Sequence, residues 1–197
     1  CGFCLYITAA YPAQGISVQG QQVFLRTSRV KWWLSKCIWC IASCTLYFAC
    51  EMAAIIGAVI LTPITFDLNN TPEITAFLFS EALCGETISL TPASVILYAL
   101  VLPFVTLTAM CMLQTLLNLV VRPAISFLIC FVAYIAAGYF PIEWLVGNGA
   151  MVMRYQLFDA NGLSYRKELV FTLLLLLLSI GAGYLLIQRK DLISLEK

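Results

Sequence analysis

Val170-Phe-Thr-Leu-Leu-Leu-Leu-Leu-Leu-Ser-Ile-Gly-Ala-Gly-Tyr-Leu-Leu-Ile187 contains no charged residue and runs through six consecutive leucines, Leu173 to Leu178. Wound as a helix at 1.5 Å per residue, this stretch is about 27 Å long, close to the ~30 Å hydrocarbon core of a bilayer. A transmembrane β-strand would be about half as long and would alternate polar with apolar side chains, which this stretch does not. Its reading decides the fold class: a helix whose surroundings are lipid.

Three further apolar segments repeat the pattern, at about Lys36 to Leu61, Ser94 to Leu119 and Pro123 to Phe140. The chain as a whole agrees. Of its 197 residues 62% are hydrophobic and 11% charged, and the mean hydropathy is +0.95. A soluble domain has about 45–50% apolar and about 25% charged residues, and one greasy core cannot close that gap. The expectation is an all-α membrane protein, a polytopic bundle of about four full transmembrane helices in a single domain over residues 1–197. The opening apolar stretch, Cys1 to Ala10, is half the ~20 residues a span needs. It reads as an N-terminal helix remnant whose start is truncated. A signal peptide would carry a basic region ahead of its apolar stretch, and none is present.

Local residues sharpen these helices. Pro123 opens its segment, where a missing N–H costs nothing. Pro103 falls inside the second span and should kink it, leaving a carbonyl for a neighbour to satisfy. Ser179 with Gly183, and Ala53 with Gly57, form small-xxx-small pairs that allow close helix approach.

Basic residues set the orientation. Arg26, Arg29, Lys31 and Lys36 precede the first full span without an acid among them. The next connection, Thr62 to Ala93, carries Asp67, Glu73, Glu81 and Glu86 and no base. Within it, Pro72 to Leu83 reads as a short amphipathic helix on the outer leaflet. Arg122 sits in the following turn, Arg154, Arg166 and Lys167 in the loop after Pro141, and Arg189, Lys190 and Lys197 in the tail. Alternating sides place eight Lys/Arg on one face and three on the other. The positive-inside rule then puts the first basic loop, the Arg122 turn and the C-terminus in the cytoplasm.

The composition also excludes chemistry. The chain has no histidine, so Ser-His-Asp hydrolysis, Ser-His intramembrane proteolysis and HExxH zinc sites are out. It has no GxxxxGK[ST] phosphate loop. Asp67, Asp159 and Asp191 all lie outside the apolar segments, so no aspartyl pair is available within the membrane. A net charge of +1 gives no bulk attraction for nucleic acid. No catalytic residue, cofactor or enzyme activity is expected of the chain itself.

Four groups of residues remain as candidates. Gln21 to Lys36 reads as an interfacial amphipathic helix, with Val23, Val30, Trp33 and Leu34 on an apolar side and Trp32 and Trp33 at headgroup level. Membrane anchoring accounts for that composition, and so does docking of a cytoplasmic partner. Glu51 is the one charge inside a span, costly by ~2.5–3.5 kcal/mol at the helix centre unless it faces the bundle or water. Gln114 and Asn118 lie four apart on one helical face, either lining a polar path or joining helices. Cys1-x-x-Cys4 and Cys37-x-x-Cys40 imitate a zinc pattern, but both pairs sit in apolar helical segments without the turns of a zinc knuckle, so no metal site is expected. Cys37, Cys40 and Cys44 instead share one helical stripe and pack as small hydrophobes.

The segment Gln21-Gln-x-x-Leu-Arg-Thr-Ser-Arg-x-Lys-Trp-Trp-Leu-Ser-Lys36 before a span resembles the permease subunits of type-2 ABC exporters of Gram-positive bacteria. Gly147-Asn-Gly-Ala-Met-Val-Met-Arg154 between the last two spans, and a final span closing on Ile187-Gln-Arg-Lys-Asp-Leu192, resemble the same family. The resemblance implies a multi-pass protein of the bacterial plasma membrane, working as a dimer with a second, identical or related permease chain. It implies that Arg26, Arg29, Lys31, Trp32, Trp33 and Lys36 form a coupling helix for a separate ATP-binding subunit. It implies export of peptide, drug or lipid-like cargo, with Glu51, Gln114 and Asn118 along the translocation path. Family members have six spans, and four with a remnant are legible here. An ATP-independent carrier or channel, or a non-transporting anchor or immunity protein, is the competing expectation.

Overall fold

A computed structural model of the chain describes residues 2, 4–8, 28–61, 96–140, 142, 144–151, 154, 155 and 162–189. Four α-helices order it: α1 is Arg29–Leu61, α2 is Leu102–Leu117, α3 is Pro123–Tyr139 and α4 is Tyr165–Arg189. A π-helical turn, Leu97–Val101, leads into α2, and a 3-10 turn, Asn148–Ala150, lies between α3 and α4. Residues 4–8 are also helical. Among the described residues there is no strand, only a parallel bridge between Tyr155 and Leu163.

Three of these helices are long and apolar enough to cross a membrane: Arg29–Ala58, Leu97–Leu117 and Tyr165–Arg189. At 17 residues, α3 spans about 26 Å. The apolar segments read from the sequence thus all become helices, with one change of boundary. No separate interfacial helix stands before α1 in the described residues. From Arg29 onward the basic segment forms the first turns of a continuous 33-residue helix. The reason is local, because no Gly or Pro interrupts the chain between Arg29 and Gly57 to break the winding.

Proline sets two other boundaries. Pro103 removes a backbone donor at the start of α2, and the helix answers by widening just before it. Leu102 N–H bonds to Leu97 O, five residues back instead of four. A π turn of this kind absorbs the register error that an interior proline creates. At the other junction Arg122 is extended at φ −61°, ψ 143°, as the residue before a proline must be, and Pro123 starts α3. Asn118 and Ser126 tie this turn: Ser126 Oγ donates to Asn118 Oδ1 and, at 2.9 Å, to Pro123 O.

Helix α2 is the centre of the bundle. It touches α1, α3, α4 and the 3-10 turn. Of its most apolar stretch 56% is buried within the chain, against 22% for α4 and 11% for α1. Buried Leu107, Met110, Cys111 and Met112 face Trp32, Trp33, Cys37, Cys40 and Cys44 of α1, with Ile187 of α4 in the same core. Glu168 and Arg189, near the first and last turns of α4, complement the helix dipole.

Candidate functional site

The Arg29 end of the bundle holds most of the coupling residues expected from the sequence. Arg29 donates to Gln188 O at 3.1 Å and Ile187 O at 3.4 Å, so a cation caps the carbonyls that α4 leaves open. The start of α1 therefore lies beside the end of α4. Trp33 is buried, and its indole N–H donates to Ile180 O at 3.0 Å. Its ring lies in the notch left by Gly183, where any Cβ would collide with it. Trp32 is buried as well, with the Lys36 ammonium 5.4 Å from its ring centre and Lys36 itself buried. Lys31 is exposed. Arg26 lies outside the described residues, as do the 62–93 connection and the tail beyond Arg189. Three of the expected coupling side chains, Trp32, Trp33 and Lys36, thus pack inside the bundle.

The three residues proposed for a path do not meet. Gln114 is buried and its Nε2 donates to Leu5 O at 2.8 Å, clamping residues 4–8 onto α2. Asn118 is buried and holds the α2–α3 turn through Ser126. Both act as links between segments in these contacts. Glu51 is exposed on α1, with Tyr47 and Tyr134 of α3 near enough to feel its charge. Around it Leu46, Ile55, Ile56, Ile60 and Leu61 are exposed too, and a Cβ added at Gly57 would meet nothing within 4 Å. Of the two small-residue pairs, Ser179 with Gly183 is buried against α1, whereas Ala53 and Gly57 have no helix against them among the described residues.

The opposite end of the bundle is closed by a polar knot built on the Gly147 to Arg154 stretch. Arg154 donates to Ala137 O and Gly138 O, the carbonyls at the end of α3, and at 2.7 Å to Asn148 Oδ1. Asn148, fully buried, returns Nδ2 to Ile142 O at 2.7 Å. Tyr155 donates to Gly149 O at 3.0 Å and packs on Tyr98, which packs on Tyr165. Burial pushes the Tyr155 phenol above its ordinary pKa, with the Glu168 carboxylate adding to the shift. Gly149 permits the approach, since a Cβ there would strike Thr106 Oγ1 and lie 3.0 Å from Glu168 Oε1. Glu168 is 2% exposed. In the sequence it looks like an ordinary first-turn acid, and only the seating of the 3-10 turn buries it. Beside the knot, Trp144, Arg166, Lys167, Val170, Phe171 and Leu174 line an apolar groove of about 480 Å³ with a cationic rim.

A sulfur cluster lies within the core. Cys4 Sγ is 3.7 Å from Cys44 Sγ and 3.9 Å from Cys111 Sγ, and all three sulfurs lie within 4.8 Å of one another. Cys40, one turn before Cys44, is buried in the same core. The stripe Cys37, Cys40 and Cys44 is buried, as its spacing predicts. That Cys4 and Cys111 join it from two other segments has no local signal.

Comparison with known proteins adds no family assignment: no protein-family description, no curated protein and no solved structure matches this chain.

Proposed function

We propose that the chain is the transmembrane subunit of an ATP-driven ABC exporter, which pairs with a second permease chain and takes its energy from a separate ATP-binding subunit. The observation that carries this reading is the far half of α1. Glu51 is exposed there, as are Ile55 and Ile56, and among the described residues nothing lies within 4 Å of the Cβ position of Gly57 in the Ala53–Gly57 pair. A carboxylate facing lipid is costly, whereas one facing another subunit or water is not. A second permease chain laid on this half of α1 would pack on Ala53 and Gly57, which share a face; Glu51 lies about 160° round the helix from Ala53. The basic end, with Arg29 and exposed Lys31, then faces the cytoplasm, as the distribution of Lys and Arg requires.

Within this reading, coupling runs through the exposed surface of the basic end, Lys31 and the preceding Arg26. Trp32, Trp33 and Lys36 transmit motion from that surface into α2 and α4. ATP binding draws the two ATPases together, tilts the start of α1, and moves the interface between the permease chains. The cargo is of the peptide, drug or lipid-like class, and the plasma membrane of a bacterium is the location.

The test is co-purification of the full chain with the ATP-binding protein encoded beside it. The wild-type chain should hold the partner, and Arg26→Glu with Lys31→Glu should release it while leaving the chain monodisperse. A well-folded wild-type chain that captures no ATPase overturns the reading.

A further inference from the structure

We propose that Cys4, Cys44 and Cys111 form a binding site for one copper(I) ion, held entirely by sulfur. Three thiols from three separate segments converge here: the helical residues 4–8, α1 and α2. Each residue is at most 1% exposed. An ion with metal–sulfur bonds of about 2.3 Å separates its ligand sulfurs by about 3.8–4.0 Å in tetrahedral or trigonal geometry. Two of the three sulfur separations, 3.7 and 3.9 Å, fall at that spacing, and the third lies within 4.8 Å.

The donor set selects the ion. There is no imidazole in the chain, and the cluster contains no carboxylate. All-sulfur sites favour soft ions, copper(I) and zinc(II) above all. Zinc(II) in a structural site takes four ligands, whereas three sulfurs complete a trigonal copper(I) site, and Cys40 falls outside the set whose sulfurs all lie within 4.8 Å of one another. The neighbouring core of Leu107, Met110 and Met112 is apolar, and the Thr108 hydroxyl beside Cys44 is held by the Phe104 carbonyl at 2.8 Å. The site is also held in shape. Gln114, three residues after Cys111, fixes the Leu5 carbonyl and so fastens Cys4 over α2. Cys44 lies eight residues along α1 from Lys36, about 12 Å deeper than that basic end.

Binding must release protons, because thiolates are the ligands. A buried complex favours low charge. Copper(I) with three thiols gives a complex of two thiolates and one thiol, net −1, and two protons. Nothing is oxidised or reduced.

The experiment uses the reduced, purified full chain in detergent, given copper(I) alone without oxygen, then a copper(I) chelator, then desalting. The wild type should retain one copper per chain, with an X-ray absorption spectrum showing a shell of sulfur only. Cys50→Ser, exposed on α1, and Cys130→Ser, buried outside the cluster, should retain the same. Cys4→Ser and Cys111→Ser should each retain about tenfold less or worse. Where one of these variants does not fold, the wild-type spectrum decides alone. Copper absent from the wild type, nitrogen or oxygen in its shell, or retention unchanged in folded Cys4→Ser or Cys111→Ser overturns the site. Zinc(II) supplied alone and held one per chain, with copper(I) not held, overturns the assignment of the ion.

Discussion

The two halves of α1 are one helix with opposite fates. From Arg29 to Cys44 the helix buries Trp32, Trp33, Lys36, Cys37, Cys40 and Cys44 against α2 and α4. From Leu46 to Leu61 the helix still packs Tyr47 and Phe48 on that core, Phe48 against Phe104, but exposes Leu46, Ile55, Ile56, Ile60 and Leu61, with Leu61 at 87%. The near half is the more polar, with Arg29, Lys31 and Lys36, yet it is the half that packs more closely inside the chain. The difference lies in shape. The near half meets a notch at Gly183 that accepts an indole, whereas among the described residues nothing fills the notch at Gly57. An apolar helix face in a membrane gains little from burial against another apolar face, so packing fit and hydrogen bonds decide what associates. The near half is specified by its own chain. In the far half, among the described residues, nothing lies within 4 Å of the position a Cβ would take at Gly57.

The sharpest break in that contrast is Trp33→Ala, which removes both the ring in the Gly183 notch and the bond to Ile180 O. We expect a loss of about 3 kcal/mol, the lower end for a buried tryptophan truncation, read by denaturant unfolding in detergent micelles. A change below about 0.5 kcal/mol would mean the near half is no better packed than the far half. Gly183→Leu attacks the same contact from α4 and should cost about 2 kcal/mol by overpacking, read as a fall in thermal midpoint.

Gln114→Leu tests whether residues 4–8 belong to the near-half core. Losing the bond to Leu5 O should cost about 1 kcal/mol, in the range of interhelical hydrogen bonds in membrane proteins. Thiol labelling of Cys4 should rise as its segment loosens. Unchanged labelling would show that the clamp is not needed. The smallest effect on stability is expected at Gly57→Leu, within about 0.5 kcal/mol because nothing lies within 4 Å of its Cβ position. The same change should nevertheless abolish cross-linking between copies, and a large stability loss there would show that the far half is packed within its own chain.

The helices were legible in the sequence because their signals are local. Uncharged runs of the right length, Pro123 at a helix start and the Cys37–Cys40–Cys44 stripe all need only near neighbours to interpret. Where reading failed, a distant residue decided. Trp32 and Trp33 carry the composition of a headgroup belt, yet Gly183, 150 residues beyond Trp33, draws the second indole inward. Ser179/Gly183 and Ala53/Gly57 are the same motif with opposite outcomes, and no local rule separates them. Glu168 is buried only because Gly149 lets the 3-10 turn settle onto α2 and α4. The sulfur cluster draws on Cys4 and Cys111, one outside and one inside a span, with nothing in their spacing to link them. Pro103 lies between these cases: its position predicts distortion, and the fold supplies it as a wider turn.

The far half of α1 carries its own probe, since Cys50 is exposed beside Glu51. The most direct measurement is a nitroxide on Cys50 in a Cys1→Ser, Cys84→Ser background, with the chain in lipid vesicles at high dilution. A second permease chain on this face predicts a defined dipolar distance between labels that survives dilution with lipid and is lost in Gly57→Leu. Coupling that fades in proportion to dilution would leave this face to lipid alone and contradict the account.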